Sequence, residues 1–208
     1  MSLKQQRGFT LLEMLIVVAI SFVLAAVTAI SYVPLMQQQR VTEAYNTTLT
    51  TMRRARDQAA GDMRTYVVQF TAPGTITVTQ SLSATSTCQI PPTGTVLVTA
   101  TLPTDITFHV ETGVPTSATT APVTPDQFGT ASSPFDLDIG NNAGQSYVCF
   151  NPDGTATDQV GNISNGVVYM GRPGDLYSSR AITLWGSTGR IRGWRLYNVS
   201  GVNTWRQQ

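Results

Sequence analysis

Residues 9–36 read FTLLEMLIVVAISFVLAAVTAISYVPLM, and the fold of the whole chain turns on this stretch. From Met14 to Met36 it holds no charged residue, a run of 23. As a helix rising about 1.5 Å per residue, the run is about 35 Å long and would cross a hydrocarbon core of about 30 Å. Lys4 and Arg7 precede it, so the N-terminus is expected on the cytoplasmic side and the remainder exported. A cleaved signal peptide, cut at small residues near 25–29, and a plain single-span anchor are the alternatives. Neither accounts for Glu13. A carboxylate at mid-bilayer costs about 2.5 kcal/mol or more and marks a function by default.

Beyond this stretch the composition excludes several kinds of chemistry. The chain has 208 residues, with 13 Lys+Arg against 12 Asp+Glu, enough for one sizeable core but not for several large domains. Charged residues are 12% of the total, about half of the ~25% usual in soluble domains. Lys4 is the only lysine, so a P-loop cannot be built, and His109 is the only histidine, so a multi-His metal site cannot either. No G-x-S-x-G elbow is present, and nothing places His109 in a catalytic triad. The expectation is a protein that is not an enzyme, with no cofactor and no metal. Asp136/Asp138 and Asp153/Asp158 lack the ligand spacing of a calcium loop and are better explained as turn formers.

The helix is expected to continue to Gly61 and Asp62. Val41, Tyr45, Thr48/Leu49, Met52, Ala55, Ala59 and Met63 recur at spacings of three and four, giving one apolar face for a sheet. Pro34 removes a helical hydrogen bond, so a kink is expected there. From residue 65 the period changes to 2. Strands are expected at 65–72, 75–80, 95–102, 106–110, 135–139, 146–150, 166–170, 180–185 and 190–197. Pro73-Gly74 marks a hairpin, and Asn151-Pro152-Asp153-Gly154 a turn. Residues 112–134, rich in Thr, Pro, Ser and Ala, read as a long loop. The fold class is therefore α+β, a long N-terminal transmembrane helix (span about 11–36) packed on an antiparallel β-sheet head.

Gly8-Phe9-Thr10-Leu11-Leu12-Glu13, after a short basic leader and before a long apolar run, resembles the processing motif of type IV pilins and type II secretion pseudopilins. The resemblance implies a prepilin leader at 1–8, cleavage between Gly8 and Phe9 by a prepilin peptidase, and N-methylation of Phe9. It implies a role for Glu13 in aligning the entering subunit, one helical turn from the new amine. A carboxylate there also suits the helix dipole. Ala19, Ala25, Ala26 and Ala29 would permit close contact between sister helices. Major pilins often carry a proline deep in the apolar stretch, whereas Pro34 lies near its far end. Between 145 and 197, the order of Tyr147-Val-Cys-Phe-Asn-Pro-Asp-Gly154, Gly166-Val-Val-Tyr-Met, Arg180-Ala-Ile-Thr-Leu and Gly189-Arg-Ile-Arg192 is similar to the GspH/FimT branch of minor pseudopilins and pilins. That likeness implies a helix at 9–62 and a β-rich periplasmic head at 63–208. It implies an inner-membrane, single-pass subunit that enters a filament, with other pilin or pseudopilin subunits as partners.

The exported part is expected to be electrostatically two-sided. Between Arg64 and Arg172 there is no Lys or Arg but there are seven acids, whereas residues 172–208 hold six arginines and one acid. Arg190 and Arg192 share a strand face, and Gly193 would permit a bulge that redirects Trp194 and Arg195. Arg190, Arg192, Arg195 and Arg206, with Trp194 and Trp205 beside them, suit DNA phosphates, the acidic face of a neighbouring subunit, or solvent. In FimT-like minor pilins the Gly-Arg-x-Arg element is linked to double-stranded DNA uptake, which this resemblance carries to Gly189, Arg190 and Arg192. Cys88 and Cys149 lie past the apolar run, in a disulfide-permissive compartment, so a bridge is expected, with two buried thiols as the alternative.

Overall fold

A single helix, α1 (Leu11–Asp62), carries the N-terminal stretch into the head. The structure, a computed structural model, describes residues 9–82, 88–139 and 144–208, and for residues 27–34 the backbone alone. The leader, Gly8 included, therefore lies outside the described residues, as do the side chains of Ala29 and Pro34. The kink expected at Pro34 falls among them, with helical backbone on both sides. Among the described residues no helix is long and apolar enough to cross a membrane. Residues 27–34, toward the far end of the expected span, are without described side chains.

The chain divides into two compact units, residues 1–39 and 40–208. In the first, Leu11, Leu12, Leu15, Phe22 and Leu24 are all exposed along α1. In the second, α1 buries the expected stripe: Val41, Ala44, Tyr45, Thr48, Leu49, Met52, Ala55 and Ala59. The Thr48 hydroxyl donates back to the Ala44 carbonyl (2.9 Å), so its oxygen can enter an apolar face without losing a partner. The helix stops where Met63 takes a left-handed φ of 54° and the Arg64 N–H closes on the Ala59 carbonyl (3.2 Å). Met63, expected on the buried stripe, is exposed because it forms this cap.

Among the described residues the head has ten strands in two antiparallel sheets. In chain order they are β1 (Tyr66–Thr71), β2 (Thr75–Ser81), β3 (Gly94–Thr101), β4 (Phe135–Asp136), β5 (Tyr147–Phe150), β6 (Ala156–Thr157), β7 (Gly166–Met170), β8 (Arg180–Trp185), β9 (Arg190–Val199) and β10 (Val202–Gln207). One sheet runs β3-β2-β1-β5-β6, the other β10-β9-β8-β7-β4. The α1 stripe shares one core with a face of each sheet, including Tyr66, Val68, Phe70 and Phe150 from the first and Val168, Ile182, Leu184 and Ile191 from the second. Phe70, Phe108 and Phe135 meet at ring distances of 5.2–5.9 Å.

Two expectations are corrected here. Residues 106–110 form no strand, because their backbone donors go to separate partners: Ile106 to Pro103, Thr107 to Gly171 and Phe108 to Pro73. Of residues 135–139 only Phe135 and Asp136 pair in a ladder. Residues 112–134 form a long loop, as expected, with one short 3-10 turn at Pro125–Gln127, and this loop packs on the sheet. Val114, Phe128 and Ala131 pack on Val167, Tyr169, Ala181, Leu196 and Trp205, the face of the second sheet that α1 leaves open. Both faces of that sheet are thus covered.

On the first sheet a disulfide joins Cys88 to Cys149, Cα atoms 5.7 Å apart, in a small cluster with Val67. It closes a loop across a sequence separation of 61, which by loop entropy is worth about 2–4 kcal/mol.

Candidate functional site

At the N-terminus, Thr10 caps α1: its hydroxyl accepts from the Glu13 backbone N–H (3.2 Å). Thr10-Leu-Leu-Glu13 has the spacing of a capping box, and Glu13 is the acid of the first turn. Phe9, the expected new N-terminus, is exposed.

At the other end of the chain the arginines expected to act together are divided between two faces. Strand β9 pairs with β8 without a shift of register through Gly193, which lies opposite Ile182. The expected bulge at Gly193 is therefore absent. Glycine is required there for a different reason: a Cβ would overlap the Tyr45 phenol of α1. Without a bulge the side chains alternate. Ile191, Gly193 and Arg195 face α1, and Arg190, Arg192 and Trp194 face outward.

On the α1 side Arg195 lies opposite Arg180 on one strand and Arg206 on the other, so three guanidinium-bearing residues form a row across β8, β9 and β10. Arg180 is buried, and its Nη1 donates to the carbonyls of Tyr177, Ser178 and Ser179 (3.3, 3.0 and 3.1 Å). Burial, and next the charge of Arg195, push its guanidinium down to about 10. Arg195 lies 5.0 Å over the Tyr197 ring.

On the outward face Arg192 is tied to Asp126 (Nη1 to Oδ1, 2.7 Å). The other oxygen of Asp126 accepts from the Thr183 hydroxyl (2.5 Å) and from Trp185 Nε1 (3.1 Å). Trp194 Nε1 in turn donates to Thr183 Oγ1 (3.0 Å). Asp126 is the only charged residue in 112–134, and that isolation was the available sequence signal for its role. The pairing sets an acid of the middle segment on an arginine of the last. Other middle acids are engaged as well: Asp105 with Arg40, Glu111 with His109, and Asp153 and Asp158 with their own turns.

Arg190 is left exposed. It borders an open cavity of about 610 Å³, with Arg53 and Arg56 of α1, Trp185 and Arg192. Arg56 Nη2 donates to the Thr188 carbonyl (3.1 Å), holding α1 to the β8–β9 turn. The Nε atoms of Arg56 and Arg192 are buried without partners, and Asp57 is the one acid of the lining. The turn at Gly189 brings Arg56 of α1 beside the start of β9.

His109 serves the cover. Its Nε2 lies 2.9 Å from Glu111 Oε1, which also accepts from the Gly174 N–H (2.5 Å). The Gly174 amide first, and the His109 hydrogen bond second, hold the Glu111 carboxyl below its ordinary value. Among the described residues no group of three His, Cys, Asp or Glu side chains is placed to hold a metal.

With the geometry in place, the comparisons bear on the N-terminus. Residues 3–29 match the family model described as the prokaryotic N-terminal methylation motif. This supports a type IV pilin-like protein. No curated protein matches the chain, and no solved structure does. A pilin-type motif points to a structural subunit processed by a prepilin peptidase and assembled with other pilins.

The Asp126 carboxylate is expected to be the outward face's main fastening. Asp126→Ala should lower the unfolding free energy by about 3 kcal/mol in urea titrations. In a cycle with Arg192→Ala, the two single losses should sum to more than the loss in the double variant, because both remove one interaction.

Proposed function

We propose that the chain is a minor pseudopilin or minor pilin of the GspH/FimT kind, non-catalytic, inserted in the inner membrane through the apolar part of α1 and then drawn into a filament. The observation that carries this reading is the exposed apolar surface of α1 after a capped Glu13. A surface of that extent needs lipid or sister helices around it. The prepilin-type motif on the same residues supplies the reason for both in succession. In the membrane Glu13 would sit in the first turn, where the new amine of Phe9 or that of a neighbour can pair with it. The head would face the periplasm, its Cys88–Cys149 disulfide stable in that compartment.

The cavity beside Arg190 favours a second reading, a pilus-borne contact with double-stranded DNA. Among the described residues no ion pair engages Arg53, Arg56 or Arg190, and Asp57 is the one acid lining the cavity. Phosphates rather than base edges would be the targets, so affinity would fall steeply with salt. Arg192 would act by shaping the wall, since Asp126 already holds it, and Arg195 and Arg206 would lie away from the contact, on the other face of the sheet.

The first reading is tested by co-expression with a prepilin peptidase and intact-mass measurement. The expected product begins at N-methylated Phe9. A product cut near residues 25–29, or an uncut chain, would contradict it. The second is tested by duplex binding across a salt series. Arg190→Ala and Arg56→Ala should each reduce the slope of log K against log salt by about 0.9, and an absence of binding at low salt removes this reading while leaving the first intact.

A further inference from the structure

All three tryptophans of the chain, at the end of β8, in β9 and in β10, line one cavity of about 380 Å³ under the cover segment. That volume is within the range of small-molecule pockets, about 300–1,000 Å³. The cavity lies on the outward face, separated by Trp185 from the arginine-lined one, and the assembly reading makes no use of it.

Its chemistry narrows what it can hold. Arg192 already lies over the Trp185 ring (5.9 Å), so the position a cationic ligand would take on that ring is occupied by a cation. Asp126 stands in the wall, which disfavours an anion, and its own oxygens are engaged by Arg192, Thr183 and Trp185. The remaining polar lining is uncharged: Thr124, Gln127 and Thr204. Trp205 is only 6% exposed, yet its Nε1–H has no hydrogen-bond partner. A buried donor left without an acceptor is costly. A hydrocarbon or plain aromatic ring would leave it so, whereas a hydroxyl or ring oxygen would satisfy it. The faces of indole rings are electron-rich and receive the C–H faces of a saturated ring.

We infer that this three-tryptophan cavity is a binding site for a neutral saccharide, its ring stacked on indole and its hydroxyls met by Thr124, Gln127 and the Trp205 N–H. A subunit so equipped would bring glycan recognition to the surface of a filament.

Because every tryptophan lines the cavity, tryptophan emission reports on it; Trp185 also borders the arginine-lined cavity, so the Gln127 variant assigns the shift to this one. The full chain, in dodecyldimethylamine oxide to avoid a sugar headgroup, is titrated with maltotetraose, cellotetraose and N-acetylchitotetraose up to about 10 mM, where a Kd near 1 mM would be resolved. At least one probe should give a saturable blue shift, weakened tenfold or more by Trp194→Ala. The exposed Gln127→Ala should weaken it several-fold with an unchanged melting temperature, which covers the case in which the tryptophan variant fails to fold. No saturable shift with any of the three overturns the inference. So does saturation by an uncharged proline hexapeptide in place of the sugars, or saturation unaffected by Gln127→Ala in the folded protein.

Discussion

The Asp126 carboxylate holds the second sheet to the segment that covers it. One oxygen takes Arg192, the other takes Thr183 and Trp185, and Trp194 is fixed through Thr183. The cover segment has no regular ladder of its own, so it relies on such points and on the apolar contacts of Val114, Phe128 and Ala131. Without that carboxylate, Arg192 would stand in the wall of the head with no counter-charge, beside three indoles. With it, the outward face becomes a built surface carrying two distinct cavities.

The opposite face depends on a steric constraint. Tyr45 of α1 rests against Gly193, and that close approach keeps β9 in register and alternating. The alternation places Arg195 and Arg206 on one side and Arg190 and Arg192 on the other. A basic C-terminus that looks continuous along the chain is thus divided: Arg180 is buried under backbone carbonyls, Arg192 is paired, and Arg190 joins Arg53 and Arg56. Any partner that needs several guanidinium groups at once meets the last set, made of helix and turn together.

Much of the fold could be read from periodicity. The α1 stripe from Val41 to Ala59 and most strands followed from spacings of 3.6 and 2, because burial on one face imposes that period. What could not be read lacked a period. The irregular 106–110 and the packing of the cover at 112–134 rest on contacts to distant residues, which leave no local pattern, whereas β6 and β10 pair with β5 and β9, the strands that precede them. Gly193 invited a bulge because glycine is permissive, but its reason lies 148 positions away, in Tyr45. The prepilin-type motif was legible because it is contiguous. The arginine cavity and the tryptophan cavity were not, since each is assembled from elements that meet only in the fold.

The two ends of the molecule answer to different demands. The head covers both faces of the second sheet, while the early part of α1 leaves Leu11, Leu12, Leu15 and Phe22 exposed. On this account the bare part is completed by a membrane first and by sister helices afterwards, with Glu13 guiding the transfer. The most direct test is fractionation of sheared filaments from cells of the native host expressing the chain or its Glu13→Val variant. The account predicts the chain in the filament fraction, and the variant processed at Phe9 but retained in the membrane. A variant that enters filaments as readily as the unaltered chain, or an unaltered chain that never leaves the membrane, would contradict it.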